Sequence, residues 1–254
     1  MNGDTLYDRF REALAAERAV ALATIVAGRR GLGRKLLIFR DGSHSGGFGV
    51  AELNRQVVED AIDLLGAERA DTIHYDLPLG AFDVFIDVYP SPKQIIIVGA
   101  SHAAGPLSRL GKLMGYRVIV TDARAAFAQP GRYPEADAVL KGWPQDILPG
   151  LRFDESTYLV LLSHDPKFDE PTLHHALPTP IPYIGAIGSR KTQRERFDRL
   201  RGEGFSEEQL TRIYGPVGLD LGGNTPEETA LGIMAEITAV RHGRSGGSLR
   251  DRPQ

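Results

Sequence analysis

The stretch Gln94-Ile95-Ile96-Ile97-Val98-Gly99-Ala100-Ser101-His102-Ala103-Ala104-Gly105 constrains the fold more than any other. Its apolar, β-branched run reads as a strand buried on both faces, and it breaks abruptly into small residues. Leu107, Leu110, Leu113 and Met114 then follow helical spacing up to a stop at Gly115. Strand, tight turn and helix recur downstream. Arg117–Thr121 (RVIVT) is a strand, Ala138–Leu140 a weaker one, and Thr157–Leu162 (TYLVLL) a strong one. A helix is expected over Glu170–Leu177 and a further strand over Pro182–Ile187. Such alternation predicts a parallel, doubly wound sheet. The last helix opens with Thr225-Pro226-Glu227-Glu228, which reads as N-cap, first-turn proline and capping-box glutamate. Its Ala230, Ile233, Met234 and Ile237 form the core-facing stripe.

The chain before Gln94 is patterned differently. Leu6, Phe10 and Leu14 mark a short amphipathic helix within 5–18, and Val20–Val26 and Lys35–Phe39 read as strands. The glycine-rich, basic segment Gly28–Arg34 joins them, and Asp41-Gly42 signals a turn before Gly46-Gly47-Phe48-Gly49. A helix carrying Val57, Val58, Ala61, Leu64 and Leu65 on one face comes next. Strands at Thr72–Tyr75 and Ala81–Val88 follow, around Leu77-Pro78-Leu79-Gly80. The fold class expected is therefore α/β, with an N-terminal α+β domain ahead of a Rossmann-like doubly wound parallel sheet. The expected boundaries are 1–91 and 92–241, separated at Tyr89-Pro90-Ser91-Pro92, with a polar, glycine-rich, flexible tail over 242–254.

Composition excludes several function classes. A net charge of −3 offers no global attraction to nucleic acid or to an anionic membrane. No apolar run is long enough to span a bilayer, and the first residues lack an apolar signal core, so a cytoplasmic location is expected. Cysteine is absent, which removes disulfides, thiolate metal sites and cysteine nucleophiles. The seven histidines form no metal-binding spacing.

The turn after Val98 is where a dinucleotide fingerprint would stand, because glycines there let backbone approach a pyrophosphate at a helix N-terminus. Gly99 fills the first place, Ser101 the second, and Ala104 the third, with His102 between them. Asp122 ends the next strand at about the ~20-residue interval expected of a ribose-binding acid. Arg124 stands two residues on, where it would meet a phosphate instead. Ser163-His164-Asp165 closes the strand expected beside this one, placing His164 at the same crevice. Gly188, Ser189 and Arg190 end the following strand, either as an anion cradle or as an ordinary capped helix with Arg194, Arg196 and Arg199 in solvent. Three strand ends would thus converge on one phosphate-bearing ligand.

The segments GASHAAGPLSRLGKLMGYRVIVTDAR, SHD, YIGAIGSRK and GPVGLDLGGNTPEETALGIMAEI, in that order, resemble the XdhC/CoxI family. ALATIV, KLLIF and the Gly46-Gly47 region extend a looser similarity into the N-terminal half. The resemblance implies an accessory factor for xanthine dehydrogenase and related molybdenum hydroxylases. Such a factor binds molybdenum cofactor, shelters it during sulfuration by a cysteine desulfurase, and delivers it to the apo-hydroxylase. It implies binding rather than turnover, and it leaves a homodimer open. Family members often carry cysteine where this chain has Phe48, and a Cys-Gly-Gly where it has Leu79-Gly80-Ala81. Two other readings fit the same residues: an NAD(P)-linked oxidoreductase using Asp122 for ribose and His164 as acid or base, and a ligand-free scaffold for hydroxylase maturation.

Overall fold

The computed structural model describes residues 5–163 and 165–251. Its contacts divide the chain into two compact units, Met1–Pro92 and Lys93–Gln254.

The first unit runs α1 (Leu6–Ala15), β1 (Val20–Gly28), β2 (Lys35–Phe39), β3 (His44–Gly46), α2 (Ala51–Ala67), β4 (Asp71–Leu77) and β5 (Gly80–Tyr89). The strands form one antiparallel sheet in the order β3-β2-β1-β5-β4. Alternation along β1 sends Ala21, Ala23 and Ile25 toward α2, where Leu53, Val57, Ala61 and Leu65 meet them. Val20 and Leu37 face the other way, against Ala13 of α1, and Phe10 packs edge-on to Tyr89 at 4.9 Å. Thr5 and Asp8 close a capping box that starts α1. Strand β3, three residues long, is not visible in the sequence pattern. Phe48 is 3% exposed and lies in the core between sheet and α2, its N–H donating to Asn54 Oδ1 at 3.0 Å. A packed phenyl ring thus occupies the position after the paired glycines.

The second unit contains β6 (Gln94–Val98), α3 (Ala104–Leu113), β7 (Arg117–Asp122), β8 (Ala138–Lys141), α4 (Pro144–Ile147) and β9 (Thr157–Leu161). It continues through α5 (Pro166–Ala176), β10 (Tyr183–Ala186), α6 (Arg190–Gly202), α7 (Glu207–Leu210), β11 (Ile213–Tyr214) and α8 (Pro226–Arg241). The sheet is parallel throughout, in the order β11-β10-β9-β6-β7-β8. The direction of winding reverses between β6 and β9, which makes the carboxyl ends of those two strands the topological switch point. Ile95, Ile97, Val118 and Val160 pack against α3 and α8 on one face. Ile96, Val98, Leu159 and Leu161 pack against Phe168, Leu173 and Leu200 of α5 and α6 on the other. The apolar runs Ile95–Val98 and Tyr158–Leu161 follow from this two-sided cover.

Helix α5 begins four residues before the expected start. Asp165 caps it, Pro166 takes its first position, and Pro171 sits inside the helix. Helix α8 has the capping box expected of Thr225 and Glu228. Farther along α8, the Glu236 carboxylate accepts from Tyr183 Oη at 2.6 Å and from Gly218 N at 2.9 Å. Leu219 N donates to Gly232 O at 3.1 Å, and a Cβ on Gly232 would come within 3.0 Å of Leu219 O. Gly218 and Leu219 therefore lie directly on the helix backbone. A side chain at 232 would have to push Leu219 O back by a few tenths of an ångström.

Candidate functional site: the carboxyl ends of the parallel sheet

The turn at Gly99 is built by close backbone approach. Gly99 has φ +97°, and a Cβ there would stand 2.7 Å from Ser163 N and 3.0 Å from Leu162 C. The end of β9 is thus pressed against the turn, with Leu162 N donating to Val98 O at 2.8 Å. Ser101 is half-buried, and its carbonyl accepts from Ala104 N at 3.1 Å, winding the chain into α3. His102 is exposed, while Ala103 and Ala104 are buried. Among the described residues no side chain caps α3, whereas Asp165 caps α5 and Ser189 caps α6. Ala104 N is taken by Ser101 O, Leu107 N by Ala103 O, and Pro106 has no N–H, which leaves Gly105 N as the first-turn amide open to an outside acceptor, with the positive end of the helix dipole behind it.

Asp122 sits inside rather than on the surface. Its carboxylate accepts from Ala100 N at 2.8 Å, Arg124 N at 2.9 Å, Arg124 Nε at 2.9 Å and Arg124 Nη2 at 2.7 Å. A ribose hydroxyl would have to displace Arg124 to reach it. The outward group at the end of β7 is instead the Arg124 guanidinium, 52% exposed over an Asp122 side chain that is fully covered.

Burial pushes the Asp122 carboxyl up, but the Arg124 side chain, the two backbone donors and the Arg124 charge together outweigh it and hold the group below the ordinary carboxylate range. A lowered folded-state value means the unfolded chain takes the proton first, so this stabilisation is present above the unfolded value and lost as pH falls through the folded one. Asp122→Asn should therefore be less stable than wild type at neutral pH, with the difference shrinking as pH drops below about 4. Urea midpoints for both proteins between neutral and acid pH test this; a constant difference would remove the Asp122 charge as the cause.

The other expected residues divide clearly. Asp165 N donates to Ser163 Oγ at 3.1 Å, and Asp165 Oδ1 accepts from Lys167 N at 3.0 Å, so both side chains shape the β9–α5 turn beside Gly99. The charge of Asp165 is felt by Arg124, which brings the β7 and β9 ends into one electrostatic site. His164 lies outside the described residues. Gly188 has φ +139° at the end of β10. Ser189 accepts from Thr192 N at 3.1 Å, so its oxygen serves its own helix, and Arg190 is exposed on the first turn.

Arg196 differs from the solvated residue expected. It is 3% exposed and donates to Asp169 Oδ2 at 2.7 Å and to Gln193 Oε1 at 2.6 Å. Gln193 in turn donates to Ala186 O at 2.9 Å, so the α5–α6 contact is tied to the end of β10. Among the described residues, no group of three or more His, Cys, Asp or Glu side chains converges to hold a metal ion. No helix of the described residues is long and apolar enough to cross a membrane.

A family model described as the XdhC Rossmann domain matches residues 95–237, and one described as the XdhC and CoxI family matches residues 13–76. The Escherichia coli K12 protein named molybdenum cofactor insertion chaperone PaoD is 26% identical, the match covering 91% of this chain and 86% of PaoD. A Bacillus subtilis protein, named as one of the probable subunits of xanthine dehydrogenase, is 30% identical over 66% of this chain and 48% of its own length. An uncharacterized Escherichia coli K12 protein, YqeB, is 26% identical over 90% of this chain and 45% of its own. The chain thus spans about half the length of these last two relatives. A Bacillus halodurans protein whose crystal structure is described as a xanthine dehydrogenase matches with a TM-score of 0.54, over 96% of this chain and 97% of the other, at 19% identity, a likeness of fold. With the Rossmann model alone matching more than half of its residues, this chain belongs to the XdhC/CoxI family.

Proposed function

We propose that this chain binds molybdenum cofactor by its phosphate-bearing tail and helps deliver it to a xanthine dehydrogenase-type hydroxylase. The observation that carries this reading is the α3 start: a helix N-terminus with no side-chain cap and with Gly105 N open, behind a glycine turn at the switch point of a doubly wound parallel sheet. Such a place suits a phosphate or diphosphate. The cargo holds its metal through its own dithiolene, so the chain needs no metal-ligand cluster. The name borne by PaoD supports the cargo, and the name of the Bacillus subtilis relative supports the class of recipient. Because the chain has no cysteine, sulfur cannot pass through it covalently. Its part in sulfuration is to shelter the cofactor while a separate desulfurase acts.

Ser101→Asp tests the reading, because it sets a carboxylate beside the expected anion and leaves the sheet core intact. Two unit charges about 4 Å apart repel by roughly 4 kcal/mol at an effective dielectric near 20, and screening lowers that. A weakening of about tenfold to a hundredfold is expected, corresponding to roughly 1.4–2.8 kcal/mol. The measurement is pterin fluorescence and molybdenum content of protein made in a cofactor-producing host, with circular dichroism to establish folding. A folded variant that retains wild-type cofactor content would place the ligand elsewhere.

A further inference from the structure

Beyond Asp122, the segment from Ala123 to Tyr133 brings two arginines to one aromatic ring. The Arg124 guanidinium lies 4.2 Å from the Phe127 ring centroid and that of Arg132 lies 5.1 Å from it. Arg124 also reaches over Phe168 of α5, at 5.8 Å. Its bonds to Asp122 run through Nε and Nη2, which leaves most of its five N–H donors outward. Arg132 is exposed, and its Nη1 makes one long contact, to Ala126 O at 3.3 Å. Cations held on an aromatic face keep their shape without losing their charge.

The residue after Arg132 carries a hydroxyl with nothing to bond. Tyr133 is 3% exposed, and its Oη has no hydrogen-bond partner among the described residues. A buried polar group left bare costs about 1–3 kcal/mol, so such a group calls for an explanation. Burial raises the Tyr133 hydroxyl above its ordinary range, and the charges of Arg132, Asp122 and Arg124 all act on it. Tyr133 directly follows Arg132, so its backbone leaves the same segment that carries the two guanidinium groups.

We propose that Arg124, Arg132 and the Tyr133 hydroxyl form a phosphomonoester subsite at the carboxyl end of β7. In doubly wound nucleotide folds, an acid at this strand end takes a ribose diol and an arginine takes a phosphate on the same oxygen. Here the acid is sealed beneath the arginine, so the corner presents positive charge with a neutral donor behind it. A phosphate dianion uses all three groups; a diol uses none of the charge. The inference rests on the reading above in that both place a ligand in this crevice. The dianion has two possible sources, a ribose 2′-phosphate of a nucleotide and the phosphomonoester tail of a pterin.

Calorimetric titration with 2′,5′-ADP and with 5′-AMP isolates the extra phosphate. Wild type should prefer 2′,5′-ADP by tenfold or more, and the preference should decline with added salt. Arg132→Gln should reduce it to about threefold or less. Tyr133→Phe gives an independent readout. It should leave the thermal midpoint of the ligand-free protein unchanged or raised, since no internal bond is lost, while weakening 2′,5′-ADP several-fold. A purely structural tyrosine would do the reverse. Equal affinity for the two nucleotides, no nucleotide binding, or a preference that survives both substitutions overturns the subsite. Displacement of bound molybdopterin by 2′,5′-ADP but not by 5′-AMP assigns the subsite to the pterin phosphate; joint binding assigns it to a nucleotide. Pterin binding without the 2′-phosphate preference would sink the subsite and leave the cofactor reading standing. The preference without pterin binding would do the opposite.

Discussion

Arg196→Met should destabilise the second unit by about 3–5 kcal/mol, the ordinary cost of leaving one partner of a buried ion pair alone. The Asp169 carboxylate, 6% exposed, would lose the guanidinium 2.7 Å away, and Gln193 would lose its donor. For a unit of this size, that corresponds to a fall of roughly 10 °C in thermal midpoint. Pairing the change with Asp169→Leu should restore most of the loss, because two apolar side chains of similar volume need no compensation. Scanning calorimetry of the two single variants and the double decides the matter. A double variant whose loss equals the sum of the two single losses would mean that the pair is not coupled. The effect should also reach the crevice, since Gln193 anchors the Ala186 carbonyl at the end of β10.

The second large effect concerns Gly99. An alanine there must adopt φ +97° and place its methyl carbon 2.7 Å from the amide nitrogen of Ser163. The obstacle is backbone rather than the tip of a flexible side chain, so the strand end itself has to retreat. Left-handed strain and overpacking each cost about 1–3 kcal/mol, giving an expected loss near 3 kcal/mol for Gly99→Ala. Because the displaced atoms form the turn proposed to hold the ligand, cofactor content should fall by more than the stability loss alone implies. Urea unfolding gives the first quantity and pterin fluorescence of the folded fraction the second. An alanine variant with a wild-type urea midpoint would show that the turn tolerates a side chain.

The sequence discloses this site unevenly, for reasons that lie in the physics of each residue. Gln94–Leu113 is readable because a strand covered on both faces, a glycine turn and a helical stripe leave three consecutive local signals. Thr225, Pro226 and Glu228 announce the start of α8 for the same reason: a capping box is a contact across three residues. Arg196 is opaque because its partner is 27 residues away and it stands in a run of charges, KTQRERFDR, that looks solvated throughout. Asp122 is half legible. Its place at a strand end follows from spacing, but its occupation by Arg124 is a matter of side-chain direction, which spacing does not carry. Strands β3 and β11, with three and two residues, are shorter than any periodicity test can register.

The parallel sheet is bounded by short ribbons, four residues at β8 on one side and two at β11 on the other. An incoming polypeptide that extends a sheet needs a row of free main-chain donors and acceptors, and these rims supply little more than one hydrogen-bonded turn of it. Association by strand addition at this sheet is thereby disfavoured, both with a client enzyme and in aggregates. The recipient enzyme proposed above would have to dock on this second unit through helix faces and loops, where side chains decide who binds. Substitutions on those surfaces would leave the turn at Gly99, fixed by a glycine and main-chain contacts, as it is.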